Sequence, residues 1–280
     1  MAQILIVGCG DLGTAIATLL HESQHEVIGL RISAQQLPLG MQTIQADVTK
    51  LNTLNDLKKS NPNIIIYCVA ATAQTDENYH AHYVQGLKNI LATQTENPNL
   101  HHVFFVSSTR VYGQQTQDML DENIPAIPTD FGGERLLEAE NVLSQLSCKT
   151  TVLRLSGIYG PGRLYLANTA KDINRWPVSN SWSNRIHRDD AAAFIAFLVQ
   201  KTSHKQAIEN CYIVTDDMPT LQYSVLNWLA TQQGVDVSEI QTPATQEGGK
   251  RLSNQRLRAT GFQLQYPDYQ AGYSKILKAI

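Results

Sequence analysis

Charge is scarce in this chain. Of its 280 residues, 17% are Asp, Glu, Lys or Arg, and 22 basic against 25 acidic side chains leave a net charge of −3. No long run of one sign occurs, so the composition gives no footing for electrostatic binding of nucleic acid. Gln, Asn, Ser and Thr are expected to carry the polar surface instead. Cysteine is sparse too: Cys9, Cys68, Cys148 and Cys211 are widely scattered and form no CxxC pair, which argues against a zinc ribbon and a disulfide scaffold. Three of them lie in apolar, strand-like stretches, so buried free thiols are expected. Cys9 sits inside a glycine turn, where exposure and packing both remain open. No uninterrupted apolar run approaches the roughly 18 residues needed to span a bilayer. The N-terminal apolar stretch is broken by glycine and Asp11, unlike a secretory leader. A soluble cytoplasmic protein without a membrane partner is the expectation. Walker-type GK[ST] and GxSxG are both missing. The pairs His80/His82 and His101/His102 lack Cys or carboxylate partners at ligand spacing, so no metal is expected.

What the chain does have is QILIVGCGDLGTAI at 3–16. Four apolar residues, Ile4 to Val7, run into Gly8, Cys9, Gly10, Asp11, Leu12 and Gly13, and a helical pattern starts at once. Strand, glycine turn and helix in this order make a dinucleotide site. Gly8 permits the tight turn, Gly10 lets the backbone approach a pyrophosphate, and Gly13 lets the helix lie close on the strand. The helix N-terminus then offers its unpaired amides to phosphate. Leu12, Ala15, Ile16, Leu19 and Leu20 follow the spacing of one helical face, and HEVIGLR at 25–31 reads as a second strand. An acidic residue at that strand's end would bind ribose hydroxyls, whereas Arg31 accommodates an added phosphate. NADP is therefore preferred over NAD, although arginines are also common by chance after strands. Asp47, followed by Val48 after the third strand, is placed to accept from the adenine amino group.

The alternation continues with a strand near 42–46, a helix near 50–60, strand 64–70, a helix near 76–95, strand 103–107, a helix near 132–147 and strand 150–155. Short, nearly continuous apolar runs suit strands covered on both faces, as in a parallel sheet. The expected fold class is α/β: a Rossmann-type doubly wound parallel sheet with a small C-terminal substrate lobe. Beyond Tyr159 the pattern breaks into an excursion rich in Pro, Gly, Asn and Ser. A helix resumes at Asp189, where Asp189 and Asp190 are explained by capping and the helix dipole. A strand at 211–215 is expected to return to the sheet edge, ahead of a helix near 220–233, a polar loop and a short C-terminal helix. Residues 1–160 with 187–215 are read as the dinucleotide domain, and 161–186 with 216–280 as the substrate lobe. The locally basic stretch 245–258, with Lys250, Arg251, Arg256 and Arg258, reads as a solvated face, with an anion site as the sharper alternative.

VFFVSSTRVYG at 103–113, LRLSGIYGPGR at 153–163, IHRDDAA at 186–192 and the segment 251–277 together resemble successive signatures of the extended short-chain dehydrogenase/reductases. More narrowly, they resemble the NAD(P)-dependent epimerase/dehydratase family. The resemblance spans nearly the whole chain. It implies a cofactor-binding N-terminal lobe, a C-terminal lobe for a small-molecule substrate, often a nucleotide sugar, and a homodimer paired through helices such as 76–95 and 132–147. It implies that Val69, Ala70 and Ala71 lie beneath the cofactor and that Ser108 hydrogen-bonds the reacting substrate oxygen. It further implies that Tyr159 stands near the nicotinamide, with Thr109, Arg163 and His187 on the substrate side.

The segment PTDFGGERLLEAE at 128–140 departs from the family's YxxxK pair. Phe131 and Arg135 stand where tyrosine and lysine are expected. Phenylalanine moves no proton, and Arg135 can bind ribose hydroxyls but holds its own proton too tightly to shuttle it. Two readings follow. In the first, an oxidoreductase or epimerase uses another acid, with Tyr112, Tyr159 and His187 as candidates beside Ser108 and Arg135. In the second, the chain is a catalytically inactive dinucleotide-binding sensor or regulatory protein.

Overall fold

The computed structural model describes residues 1–116, 118–238 and 246–279. Its central feature is a seven-stranded parallel sheet made of β1 (Gln3–Val7), β2 (Glu26–Arg31), β3 (Gln42–Gln45), β4 (Ile64–Tyr67), β5 (His102–Ser108), β6 (Lys149–Leu155) and β7 (Cys211–Val214). The order across the sheet is β7-β6-β5-β4-β1-β2-β3. Val7 at the end of β1 lies level with Leu30 of β2 and with Tyr67 of β4. The chain therefore winds outward from β1 in both directions, and the reversal falls between β1 and β4. In such sheets the crevice for a ligand opens beyond the carboxyl ends of the strands at that point. Ile4 to Val7 and Ile64 to Tyr67 are fully buried, as strands covered on both faces require.

Helix α1 (Asp11–Glu22) buries Leu12, Gly13, Ile16, Ala17 and Leu20. The buried stripe is turned slightly from the sequence expectation, because Gly13 and Ala17 are small enough to face the sheet while Ala15 and Leu19 are half-buried. Two further helices differ from their expected form. Leu51–Lys59 is a 3-10 helix. The expected helix near 76–95 spans Asp76–Ala92 and widens to a π-helix over His80–Gln85. There the fully buried Tyr67 donates its hydroxyl proton to the His82 carbonyl. Gly86 leaves the room, since a Cβ on it would meet the Tyr67 hydroxyl oxygen at 2.5 Å. A group that takes a helical carbonyl from inside widens the turn, and such widened turns recur at functional sites.

The chain divides into two compact units, one of Met1–Gly113, Ala126–Arg154 and Ala191–Tyr212, the other of Gln114–Pro125, Leu155–Asp190 and Ile213–Ile280. The first unit is tied by a buried ion pair, Arg154 Nη2 to Glu140 Oε2 at 2.6 Å, with Ser107 Oγ donating to Glu140 Oε1 at 2.6 Å. In the second unit, Gly157–Tyr159 pairs with Arg185–His187, and Asn180–Ser183 pairs with Thr220–Leu221 and Gln246–Gly249. The excursion after Tyr159 thus forms small sheets of its own. Tyr159, Ala170, Trp176, Leu226 and Tyr273 anchor its apolar core. In the basic stretch, Arg256 faces Glu122, Arg258 faces Asp217, and Arg251 lies over the Trp182 ring.

All four cysteines are free; Cys9 is fully buried, whereas Cys68, Cys148 and Cys211 are half-buried rather than enclosed. Burial pushes the Cys9 thiol up to about 12, so it packs as an inert group inside the turn. Among the described residues no helix is long and apolar enough to cross a membrane, and no cluster of His, Cys, Asp and Glu is arranged to hold a metal.

Candidate functional site

The glycine turn follows β1 directly. Gly8 adopts φ +98°, and a Cβ there would stand 2.6 Å from the Cys68 carbonyl oxygen, so β1 and the end of β4 touch backbone to backbone. A Cβ on Gly13 would stand 2.3 Å from the Gly8 carbonyl oxygen, which is how α1 comes to lie against the turn. Gly10 is different: a Cβ on it would meet nothing within 4 Å. Gly10 is also the N-cap of α1 and supplies no capping side chain. The first-turn amides of Asp11, Leu12 and Gly13 follow directly on this open, uncapped position. Amides at a helix N-terminus attract an anion, and the cradle fits the pyrophosphate of a dinucleotide.

Around this cradle, Arg31 at the end of β2 donates to Gln35 Oε1 at 3.1 Å and is half-buried. Asp47 accepts from both the backbone and the hydroxyl of Thr49, at 3.0 and 2.7 Å, and pairs with Lys50 at 3.3 Å. Partial burial raises the Asp47 carboxyl, but these hydrogen bonds outweigh it and hold the group below its ordinary value. Val48 is buried, with its carbonyl accepting from Asn89 Nδ2. Beyond β4, Val69 and Ala71 are half-buried and Ala70 is exposed, a short shelf past the carboxyl end of the strand.

Ser108 ends β5 and caps the turn Thr109–Val111, its Oγ accepting from the Arg110 amide at 3.2 Å. Thr109 is buried. Arg110 then fills the space ahead of the helix Phe131–Leu143. Its Nε donates to both oxygens of Asp130, at 2.9 and 3.1 Å, and its Nη1 donates to Tyr79 Oη at 2.8 Å and Gln74 Oε1 at 3.0 Å. The guanidinium lies over the rings of Tyr79 and Phe131, at 5.1 and 5.2 Å. This needs Gly132, because a Cβ there would stand 2.3 Å from Arg110 Cζ. Arg135, one turn on, is clamped: Nε and Nη2 donate to the two oxygens of Asp76 at 2.6 and 2.9 Å, and Nη1 donates to Glu138 at 2.8 Å. Such a two-point fork holds the guanidinium in one orientation.

The expected alternative acids lie in other settings. Tyr112 is fully buried, its hydroxyl accepting from Arg154 Nη1 at 2.6 Å and its ring covered by the same guanidinium. That places it in the core of the first unit, beneath Arg154. Tyr159 belongs to the second unit, where it stacks on Tyr273 with centroids 4.5 Å apart and donates to the Asp268 carbonyl at 3.3 Å. Burial, reinforced by the Asp216 carboxyl, raises its hydroxyl far above its ordinary value. His187, also of the second unit, is 1% exposed, and its Nδ1 accepts from the Asp189 amide at 3.2 Å. The ring's proton is therefore assigned to Nε2. Burial lowers the imidazole to about 4, so it is neutral at neutral pH. Arg163 is exposed, on the bridge that closes Gly160 to Arg163.

Two features of the first unit carried no motif. Tyr79 and Tyr83, four residues apart, share one face of the helical run after β4, with ring centroids 5.2 Å apart. The spacing could have flagged a shared face, but the π-turn that aims them depends on Tyr67, which local periodicity does not report. Arg110 is the other, since its partners Gln74, Tyr79 and Asp130 come from two distant segments.

The model of the NAD dependent epimerase/dehydratase family matches residues 4–211. The chain belongs to that family. Among solved structures of the fold, a Methylobacillus flagellatus protein described as an NAD-dependent epimerase/dehydratase is 50% identical, with 99% of this chain and 98% of that chain covered and a TM-score of 0.90. The Thermus thermophilus UDP-glucose 4-epimerase, solved with NAD, is 19% identical over 96% of each chain, with a TM-score of 0.76. The Bacillus anthracis dTDP-glucose 4,6-dehydratase, also solved with NAD, is 14% identical over 99% of this chain and 96% of that one, with a TM-score of 0.79. At these lower identities the likeness is one of fold. Comparison with curated proteins finds no match.

Proposed function

We propose that this family member is an NAD(P)-dependent oxidoreductase or epimerase acting on a small carbonyl or nucleotide-sugar substrate, with NADP preferred. The observation that carries the reading is the cradle at Gly10: an uncapped helix N-terminus facing a space that a Cβ would enter without touching protein. The Gly10 backbone and the amides of Asp11, Leu12 and Gly13 would hold the pyrophosphate, Asp47 and Val48 the adenine end, and Val69, Ala70 and Ala71 the floor. Arg31 would take the additional phosphate that distinguishes NADP, and Arg135 the ribose hydroxyls once its pairing with Asp76 is exchanged. The bound dinucleotide supplies or accepts a hydride. Ser108 orients the reacting substrate oxygen, with Thr109 beside it in sequence. The second unit carries the substrate-recognising residues, Arg163 and His187 among them. A nucleotide sugar is favoured because the epimerase and dehydratase structures of this fold are named for UDP- and dTDP-glucose.

A fluorescence titration of NADPH against NADH tests the reading. Tight binding of NADPH and weaker binding of NADH is the expected result, and Arg31→Ala should narrow the gap. Equal affinities remove the NADP preference, and failure of both to bind removes the proposal. A second reading, a regulatory dinucleotide sensor, is favoured by Phe131 together with the clamped Arg135. It predicts tight binding without turnover across a broad sugar panel, so steady turnover by the purified protein ends it.

A further inference from the structure

We propose that Tyr83 is the residue that gives and takes the substrate proton, in place of the hydroxyl that Phe131 lacks; this rests on the dinucleotide-binding reading above. The rings of Phe131, Tyr79 and Tyr83 form a row, with centroids 5.4 Å apart for the first pair and 5.2 Å for the second. The row runs from the helix start that has lost its phenol to the shelf beyond β4. Two hydroxyls lie along it. Tyr79 is 6% exposed, and its Oη is held between Gln74 Oε1 at 3.0 Å and Arg110 Nη1 at 2.8 Å. Tyr83 is half-buried, and its Oη accepts from the Ala71 amide across 3.4 Å. A phenol that accepts an amide still has its own proton to give.

Position separates Tyr83 from the other candidates. Ala71 follows β4 at the carboxyl edge of the sheet, next to the reversal of strand order where a dinucleotide is expected to lie. Tyr112 is enclosed under Arg154, Tyr159 is stacked on Tyr273, and His187 is 1% exposed in the second unit. The π-turn at His80–Gln85 supplies the aim, because Tyr67 takes the His82 carbonyl from within and widens the helix next to Tyr83. When the carbonyl carbon receives a hydride from the reduced dinucleotide, the Tyr83 O–H bond breaks and its proton goes to the carbonyl oxygen. The product is a hydroxyl, and the phenolate regains a proton from water. In the oxidising direction the Tyr83 phenolate takes the hydroxyl proton.

Burial raises the Tyr83 phenol above its ordinary value, while the Ala71 amide and the Arg110 charge pull it down. The groups that face it are Tyr79 on its own helical run, Tyr67 and Cys68 at the end of β4, and Arg110 after β5. A cationic, oxidised nicotinamide beside it would favour phenolate, whereas a neutral, reduced one would not. The two redox forms of the cofactor therefore probe Tyr83 without a known substrate.

The experiment is an ultraviolet difference titration of tyrosinate in the full chain. It is run alone, with saturating oxidised dinucleotide and with saturating reduced dinucleotide, using whichever of the NAD and NADP pairs binds more tightly by calorimetry. The expected result is one tyrosine whose ionised fraction at a fixed alkaline pH rises about tenfold with the oxidised form and not with the reduced form. Tyr83→Phe removes that increment, and Tyr79→Phe keeps it. Tyr83→Leu serves if the first variant folds poorly, and the comparison of oxidised with reduced dinucleotide in the wild-type chain needs no variant. Binding without any increment, or an increment that survives Tyr83→Phe, overturns the proposal while the cofactor reading stands. Failure of either dinucleotide to bind overturns both.

Discussion

At residues 8–13 the chain has emptied a space, and at residues 131–135 it has filled one. The glycine turn removes every Cβ that would block backbone contact or stand before the α1 amides, so its geometry is set by what is missing. The helix start at Phe131 also contains two glycines, yet they serve the opposite end. Gly132 and Gly133 leave room for Arg110 to lie over Tyr79 and Phe131, and Arg135 is locked to Asp76 and Glu138. One region keeps its capacity to receive a ligand, while the other satisfies its charges internally.

The most disruptive change should fall on the filled side. Glu140→Ala leaves Arg154 buried without its partner, and urea denaturation should show a loss of about 3–5 kcal/mol. Gly13→Val comes next, since the Gly8 carbonyl that its Cβ would strike is backbone and cannot swing away. A loss of about 1–3 kcal/mol is expected in the same assay, together with loss of calorimetric dinucleotide binding. Gly10→Val sharpens the contrast. Its side chain meets no protein atom, so stability should hold within about 0.5 kcal/mol. Dinucleotide affinity should nevertheless fall at least about tenfold, or ~1.4 kcal/mol. If Gly10→Val binds as the wild type does, the emptied space is not the ligand's.

Smaller effects probe the filled side. Asp130 caps the helix by accepting from Gly133 at 2.8 Å and also holds Arg110. Asp130→Ala should cost about 1 kcal/mol of stability while leaving dinucleotide affinity unchanged. The weakest effect is expected at Asp76. Hydrogen bonds from Arg135 hold its carboxyl below the ordinary 3.8. An acid depressed in the folded state contributes stability that is present above its unfolded value and lost as pH falls through its folded one. The Asp76 pair should therefore survive past pH 3.8 and open only below it. Asp76→Asn should flatten that acid limb in a pH-dependent thermal melt and change neutral stability little, as befits an exposed pair.

The sheet strands and α1 are legible in the sequence because each is announced by its own residues. Ile4 to Val7, Ile64 to Tyr67 and the stretch 103–107 are short apolar runs, and Gly8, Gly10 and Gly13 sit at fixed spacing behind the first. The form of the helical run after β4 is not legible. Its π-turn depends on a hydroxyl from Tyr67, which local apolar periodicity cannot register. The chain leaves the main sheet at Leu155, ahead of the loss of periodicity after Tyr159, and the small sheets beyond pair segments as far apart as Asn180 and Gln246. The burial of Tyr112 escapes a sequence reading for a related reason: VYG appears there as part of a family signature, and only the packing of Arg154 against it makes the ring core.

By itself the sequence determined the cradle, because a tight turn, a close approach and an uncapped helix start are backbone properties that consecutive residues specify. It also determined that Phe131 cannot supply a proton. Which phenol reaches the Ala71 amide was decided only by tertiary structure. That choice depends on Tyr83 reaching Ala71, on Arg110 reaching Asp130 and on Arg135 reaching Asp76. Each is a contact that folding brings together from separate segments, and no local spacing encodes it.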